Sequence, residues 1–100
     1  MIVNYSTDDK YELINRRRRQ ILVHSIIYYR HNTSIIDDAT WTKWALELVG
    51  LQKQYPEIAR EAPYAEEFKN FDGSTGFDLP LDDPWGNNKA IYLMKINNIN

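Results

Sequence analysis

The chain of 100 residues contains no cysteine, only four glycines and four prolines, and no long apolar run. Without cysteine it cannot form disulfides, use a thiol as a nucleophile or bind a metal through thiolates. No stretch approaches the roughly eighteen consecutive apolar residues of a membrane span, and the N-terminal sequence lacks the pattern of a signal peptide. We therefore expect a protein of the cytoplasm that has no membrane partner.

The residues that are present suffice for one small core. Apolar residues make up 43% of the sequence and aromatic residues 13%, so residues 1–100 are expected to form a single domain. The net charge of −2 is unevenly placed, because residues 57–83 hold eight acidic and two basic side chains. This acidic segment carries −6, against +4 for the rest of the chain. Such polarity favours partners with complementary charge.

Helical periodicity predicts a long first helix over residues 8–29. Its largely apolar stripe is expected to comprise Leu13, Ile14, Arg17, Ile21, Leu22, Ser25, Tyr28 and Tyr29. A polar cluster at 32–34 then favours a turn. Asp37 or Asp38 is expected to cap a second helix that stops before Pro56. Its buried face is predicted to be Trp41, Trp44, Ala45, Leu48 and Leu51.

The second half of the chain has weaker signals. Short helical pieces are expected at residues 58–62 and 64–70, separated by Pro63. Asp83 and Pro84 are typical of a helix start, so we predict a last helix from there to Ile96. The alternative, a strand over 90–96, would lack a partner strand. The predicted fold is all-α: a long antiparallel helical hairpin, an irregular acidic segment and a short C-terminal helix.

Four consecutive arginines, Arg16 to Arg19, are the densest positive charge in the sequence. Guanidinium groups bind phosphates, so the run suggests contact with nucleic acid. A helix turns by about 100° per residue, however, and spreads four neighbouring side chains around its axis. We expect Arg17 to point toward the apolar stripe, where it either extends its charged end to water or pairs with an acid such as those of the acidic segment. Arg16, Arg18 and Arg19 are candidates for binding a protein partner.

Aromatic residues alternate with acids in the acidic segment. Phe71, Asp72, Phe77 and Asp78 are the candidates there for a partner-binding surface. Two alternatives remain open. The aromatic side chains anchor the segment to the helical core, or the acids imitate the phosphates of DNA.

The sequence offers little for catalysis or metal binding. His24 and His31 lie seven residues apart, and no carboxylate or second helix supplies further ligands, so we expect no metal site. No serine, histidine and aspartate occur in a recognisable catalytic context. We therefore expect a protein that is not an enzyme.

A stretch of about thirty residues, 28–57, joins several of these signals in a recognisable order. A tyrosine pair ends the first helix, Ile36 and Asp38 stand in the short turn, Trp41 opens the second helix, and Tyr-Pro-Glu follows the leucine-rich run 45–51. This order resembles the N-terminal Ia domain of NAD-dependent DNA ligases. In that family the domain clamps the nicotinamide mononucleotide half of NAD while the enzyme is adenylated.

The resemblance implies a cofactor site made of Tyr28, Asp38 and Trp41, which stand at the positions of the family's first tyrosine, loop aspartate and second tyrosine. Tryptophan can stack on a flat pyridinium ring and attract its charge. Tyr29 replaces the family's histidine and Thr42 its final aspartate, so an imidazole and a carboxylate are missing. The alternative is structural: the rings belong to the core and Asp38 caps the second helix.

A ligase also needs a nucleotidyltransferase core with a K-x-D-G motif. The nearest segment, residues 69–73, reads K-x-x-D-G. The chain has no room for the rest of such a core, so it cannot join DNA ends by itself.

Stand-alone proteins that look like a ligase Ia domain are familiar among small phage and prophage genes. The resemblance therefore implies a phage-encoded protein that binds and modulates a host protein in the host cytoplasm, such as a nuclease, a defence complex or the replication machinery. We rank this hypothesis first and a binding module for NAD or nicotinamide mononucleotide second. A nucleic-acid-associated factor that uses Arg16 to Arg19 ranks third.

Overall fold

The longest element of the fold is helix α1 (Tyr5–His31). A computed structural model describes the backbone of residues 5–98 and the side chains of residues 9–98; the ends of the expected single domain lie outside this part. The helix extends a few residues beyond both predicted bounds. It ends at Asn32, whose φ of 53° lies in the left-handed region that asparagine tolerates and that commonly terminates helices.

The buried face of α1 agrees only in part with the predicted stripe. Its buried side chains are Ile14, Arg18, Ile21, Leu22, Val23, Ser25, Ile26 and Ile27. Tyr28 and Tyr29 were expected in the stripe but are exposed. They lie in the last turn of the helix, past the end of the packed core, so their rings are free for another role.

Helix α2 (Asp38–Gln54) follows a six-residue connection. Its cap is Asp37, whose Oδ1 accepts a hydrogen bond from the Thr40 backbone at 2.8 Å. This decides between the two candidate aspartates and leaves Asp38 inside the first turn. The side chains of Ala45, Leu48 and Leu51 are buried as predicted, and both tryptophans of the predicted face are partly buried.

The two long helices form the predicted antiparallel hairpin. Contacts between them pair high residue numbers on α1 with low numbers on α2. The ring of His24 lies 5.8 Å from that of Trp44, whereas Arg18, one and a half turns earlier on α1, hydrogen-bonds Gln52. The hairpin is therefore one continuous surface on which the rest of the chain packs.

The acidic segment contributes two short helices, α3 (Pro56–Glu61) and α4 (Ala65–Phe68). The last helix, α5 (Pro84–Ile96), packs against α1 through Gly86, Ala90 and Met94. Asp83 caps α5 by accepting a hydrogen bond from the Gly86 backbone at 2.8 Å. The predicted last helix is confirmed and the strand alternative is wrong. Across residues 5–98 the fold is all-α.

Arg18, and not the predicted Arg17, is the arginine of the run that enters the core. It is only 1% exposed. Its guanidinium donates to the carbonyl oxygens of Ala59 at 2.7 Å, Ala62 at 3.0 Å and Pro63 at 2.9 Å. Burial lowers the pKa of Arg18 to about 10, so it still carries its charge at neutral pH. The expectation that Arg18 binds a partner is therefore wrong, because its donors are used inside the fold.

The other three arginines point in different directions. Arg17 lies beside α2, with its Nε 3.4 Å from the Glu47 carboxylate, so it pairs with the hairpin and not with the acidic segment. The guanidinium of Arg19 lies over the Trp85 ring, 4.4 Å from its centroid. Arg16 is exposed. The run therefore does not form one flat basic patch.

The acidic segment is anchored to the hairpin by some of its aromatic side chains. Phe68 is fully buried in the core, and Phe71 packs against it with ring centroids 5.3 Å apart. Phe77, in contrast, is 64% exposed. The anchoring alternative is thus confirmed for the first two rings and wrong for the third. None of the helices in the described part of the chain has the length and apolar character needed to cross a membrane.

Candidate functional site

A cleft of about 340 Å³ lies where the end of α1, the turn at 32–37 and the start of α2 meet. Residues 74–76 of the acidic segment close its third side. The first two walls come from the hairpin and the third from a region almost forty residues away in sequence. The cleft is thus a product of the tertiary fold.

The three predicted cofactor-binding residues, Tyr28, Asp38 and Trp41, all line this cleft. Trp41 itself departs from the ligase pattern, and the other two positions that do so, Tyr29 and Thr42, line the cleft as well. The structural alternative for Asp38 is wrong, because Asp37 caps α2. Tyr28 is 55% exposed, so its ring is not part of the core either. The fold brings together the residues that the resemblance singles out.

Trp41 occupies a position between core and cleft. Its ring meets Phe71 edge to face, with centroids 6.3 Å apart, and its side chain is only partly buried. One side of the indole is held by the acidic segment while the residue lines the cleft. A ring fixed in this way is well placed to stack on a flat ligand, because little side-chain entropy remains to be lost.

The third wall is built by a tight turn that the sequence did not identify as part of the site. Oδ1 of Asp72 accepts hydrogen bonds from the backbone nitrogen and the hydroxyl of Ser74, at 2.9 and 2.6 Å. These bonds hold the pKa of Asp72 below its usual range. The turn is joined to α1 by a hydrogen bond of 2.7 Å between the hydroxyls of Tyr29 and Thr75.

The charge of the cleft is negative. Asp37 and Asp38 line it, and no lysine or arginine is among the described residues that do. His24 also lines it, and burial lowers the pKa of this imidazole, so it is neutral at pH 7. Aromatic faces beside carboxylates attract a flat organic cation.

Two polar atoms beneath the cleft have no hydrogen-bond partner in the described structure: Oγ of Ser25 and Nδ1 of His24. Ser25 is 2% exposed. A buried polar group without a partner costs about 1–3 kcal/mol, and such groups are rare enough to require a reason. The sequence did not indicate that either atom would lack a hydrogen-bond partner. A serine in a helical stripe, for example, usually bonds to its own backbone or faces water.

The free energy of unfolding is expected to fall as the pH drops from about 7.5 to 5.5. His24 is kept neutral by burial, which lowers its pKa below 6.5, so near pH 6 the unfolded chain binds more protons than the folded chain. The stability that neutral His24 contributes is fully present above the pKa of this imidazole in the unfolded chain, and it is lost as the pH falls below that pKa.

Urea unfolding at several pH values measures this effect. His24→Gln should flatten the pH dependence, whereas His31→Gln, at an exposed position, should preserve it. If both variants kept the wild-type slope between pH 7.5 and 5.5, His24 would not be its source.

The predicted partner-binding residues are gathered only in part, since Phe71, Asp72 and Asp78 line a second depression beside the cleft. Asp72, Phe77 and Asp78 are exposed next to the cleft, whereas Phe71 is committed to packing. Arg16 is on α1, away from these acids in sequence. Phe77 meets Tyr29 edge to face at 5.5 Å, and Tyr29 meets Tyr28 in the same way at 4.9 Å. These three rings form an aromatic rim along the cleft.

A comparison of the chain with models of protein families, with curated proteins and with solved structures found no match. Among the residues described here, no cluster of three or more histidine, aspartate or glutamate side chains is arranged to hold a metal ion.

Proposed function

We propose that this chain is a non-catalytic binding module whose cleft takes the nicotinamide mononucleotide half of NAD. The observation that carries this proposal is that Tyr28, Asp38 and Trp41 line one cleft. Carboxylates also line this cleft, whereas no lysine or arginine is among its described lining residues. We rank this hypothesis above the protein-binding one, which ranked first from the sequence, because the three residues line the same cleft. The likeness to the ligase Ia domain remains part of the proposal.

The nicotinamide ring of the ligand matches the chemistry of the walls, whereas its phosphate, which the carboxylates repel, would lie outside the cleft in water. An oxidised nicotinamide ring is flat and positively charged, so it is attracted by the faces of Trp41 and Tyr28 and by the Asp38 carboxylate. Hydroxyl groups of Ser34 and Thr42 line the same cleft and can form hydrogen bonds with the ribose hydroxyls. The volume of about 340 Å³ falls within the usual range of small-molecule sites, about 300–1,000 Å³.

Calorimetric titration with NAD and with nicotinamide mononucleotide tests the proposal. We expect saturable heat with both ligands, and a loss of about tenfold in affinity in Tyr28→Ala and in Asp38→Ala, each of which removes one contact of about 1.4 kcal/mol. Tyr92→Ala is the matched control, because Tyr92 is an equally exposed tyrosine on α5. No heat at millimolar ligand, or unchanged affinity in the two cleft variants, would contradict the proposal.

A second candidate function is supported by the aromatic rim of Tyr28, Tyr29 and Phe77. Exposed aromatic side chains are enriched where proteins bind one another. Asp72 and Asp78 lie on either side of Phe77 in the sequence. On this hypothesis the chain is a phage or prophage protein that binds a host nuclease, defence complex or replication protein in the host cytoplasm.

Capture of a candidate host protein by the tagged chain tests the second function. Phe77→Ala is expected to abolish capture while the circular dichroism spectrum stays unchanged, because the ring is outside the core. Ile91→Ala, which removes an exposed apolar side chain from α5, should capture normally. Normal capture by Phe77→Ala would remove the rim from the interface.

A further inference from the structure

The unpartnered hydroxyl of Ser25 lies directly under a glycine of the acidic segment. A Cβ atom on Gly76 would stand 2.0 Å from Oγ of Ser25 and 3.4 Å from Cζ2 of Trp41. No residue other than glycine can approach α1 so closely at this point without moving the chain. Gly76 therefore covers a hydroxyl that it cannot satisfy, since its Cα presents no polar atom.

The short segment that carries Gly76 is lightly attached to the hairpin. Residues 74–77, here called the lid, follow Gly73, whose φ of 85° is the glycine-favoured left-handed conformation. The lid contacts α1 through the Tyr29–Thr75 hydrogen bond, the Phe77–Tyr29 ring contact and the buried Gly76, which lies against Ser25. The first two contacts lie on the exposed rim and the third buries a residue without a side chain, so an outward rotation about Gly73 exposes little apolar surface. The Leu79 backbone, which donates to the Gly76 carbonyl oxygen at 3.2 Å, tethers the far end of the lid.

We propose that the lid lifts when the cleft is filled and that the Ser25 hydroxyl then binds the polar edge of the ligand ring. This inference rests on the proposed function and names the group on the ring: a carboxamide. A hydroxyl both donates and accepts, as does a primary amide, so the two match. The neutral His24, whose Nδ1 is also unpartnered, supplies a second polar atom at the same level of the cleft.

A carboxylate at the same place on the ring is disfavoured. It would leave bulk water for the bottom of the cleft, where no lysine or arginine lies among the described lining residues, and would be brought toward the carboxylates of Asp37 and Asp38. Burying a charge without a countercharge is far more costly than burying an amide. The site should therefore select nicotinamide mononucleotide over nicotinic acid mononucleotide, two ligands that differ only in this group.

Titration of the full chain with these two mononucleotides tests the inference, with Ser25→Ala as the key variant. The wild type should bind the amide at least tenfold more tightly than the acid. Ser25→Ala should lose about fivefold to tenfold in affinity for the amide, the effect of one hydrogen bond. The same variant should melt at a higher temperature than the wild type, by about 4 °C, because an unsatisfied buried hydroxyl has been removed.

Lower affinity together with higher stability separates a ligand-binding hydroxyl from a merely structural one. If Ser25→Ala bound the amide as the wild type does, or melted at a lower temperature, the inference would be overturned while the proposed function stood. If the wild type bound neither mononucleotide, the inference and the proposed function would both be wrong.

Gly76→Ala tests the lid separately. Its Cβ holds the lid away from Ser25, so affinity for the amide should rise by about threefold as the open state becomes more populated. Weaker binding in this variant would reject the lid.

Discussion

Replacing Arg18 with alanine is expected to lower the free energy of unfolding by about 3–5 kcal/mol. The substitution leaves the carbonyl oxygens of Ala59, Ala62 and Pro63 without their donor, together with Oε1 of Gln52, which accepts from Arg18 Nε at 2.9 Å. It also leaves a cavity in place of a side chain that is almost fully buried. Denaturation in urea, monitored by the helical circular dichroism signal, measures the free energy of unfolding of each variant.

Two further variants show that the loss belongs to this guanidinium. Arg16→Ala removes the same side chain from an exposed position of the same helix and should change stability by no more than about 0.5 kcal/mol. Arg18→Lys keeps the charge but presents it as a point and not as a fork, so it should recover only part of the loss. Equal losses in Arg16→Ala and Arg18→Ala would mean that the buried network does not hold the fold.

The arrangement around Arg18 explains how a negatively charged segment is held on the hairpin. Among residues 9–98 the guanidinium forms no ion pair with a carboxylate. It binds the carbonyl oxygens at the end of α3 and in the turn that follows it, and the amide of Gln52 adds a hydrogen bond to the carbonyl oxygen of Phe68 at 3.1 Å. One side chain from each long helix thus donates to backbone acceptors at the ends of α3 and α4, and the carbonyl oxygen of Phe68 also accepts from the Phe71 backbone at 3.1 Å.

Local chemistry made much of the fold predictable from sequence. The cap and proline at the start of α5, the break before Pro56 and the polar turn after α1 each depend on neighbouring residues alone, so their signals are readable without the fold. The choice between Arg17 and Arg18 is different. The two side chains differ by about 100° of helix rotation, and what decides between them is a set of carbonyl groups more than forty residues away.

The residues of the candidate site fall into the same two groups, those that local sequence indicates and those that meet only in the folded chain. Tyr28, Asp38 and Trp41 lie in one continuous stretch of sequence, so a resemblance over that stretch could name them. Ser25 and Gly76 could not be named, because their relation exists only after the acidic segment has packed on α1. A serine in a helix and a glycine in a turn are ordinary until they meet.

Phe68→Ala is expected to destabilise the chain by about 3–5 kcal/mol, since the ring is fully buried and its removal leaves a large cavity. Phe77→Ala is the matched control: the same change on a ring that is 64% exposed should cost no more than about 0.5 kcal/mol. Urea unfolding of both variants measures the contrast, and similar losses would mean that Phe68 does not anchor the acidic segment.

The combination of Phe68→Ala with Arg18→Ala tests whether the two side chains hold the same structure. The Arg18 guanidinium lies 6.0 Å from the Phe68 ring centroid, and both fix the segment that leads to the lid. Once either has been removed, the segment is partly released and the second removal has less to break. The double variant should therefore lose less stability than the two single losses added together, by about 0.5–3 kcal/mol. If the two losses of stability simply added, Arg18 and Phe68 would act on separate parts of the fold. Only one of them would then hold the third wall of the cleft.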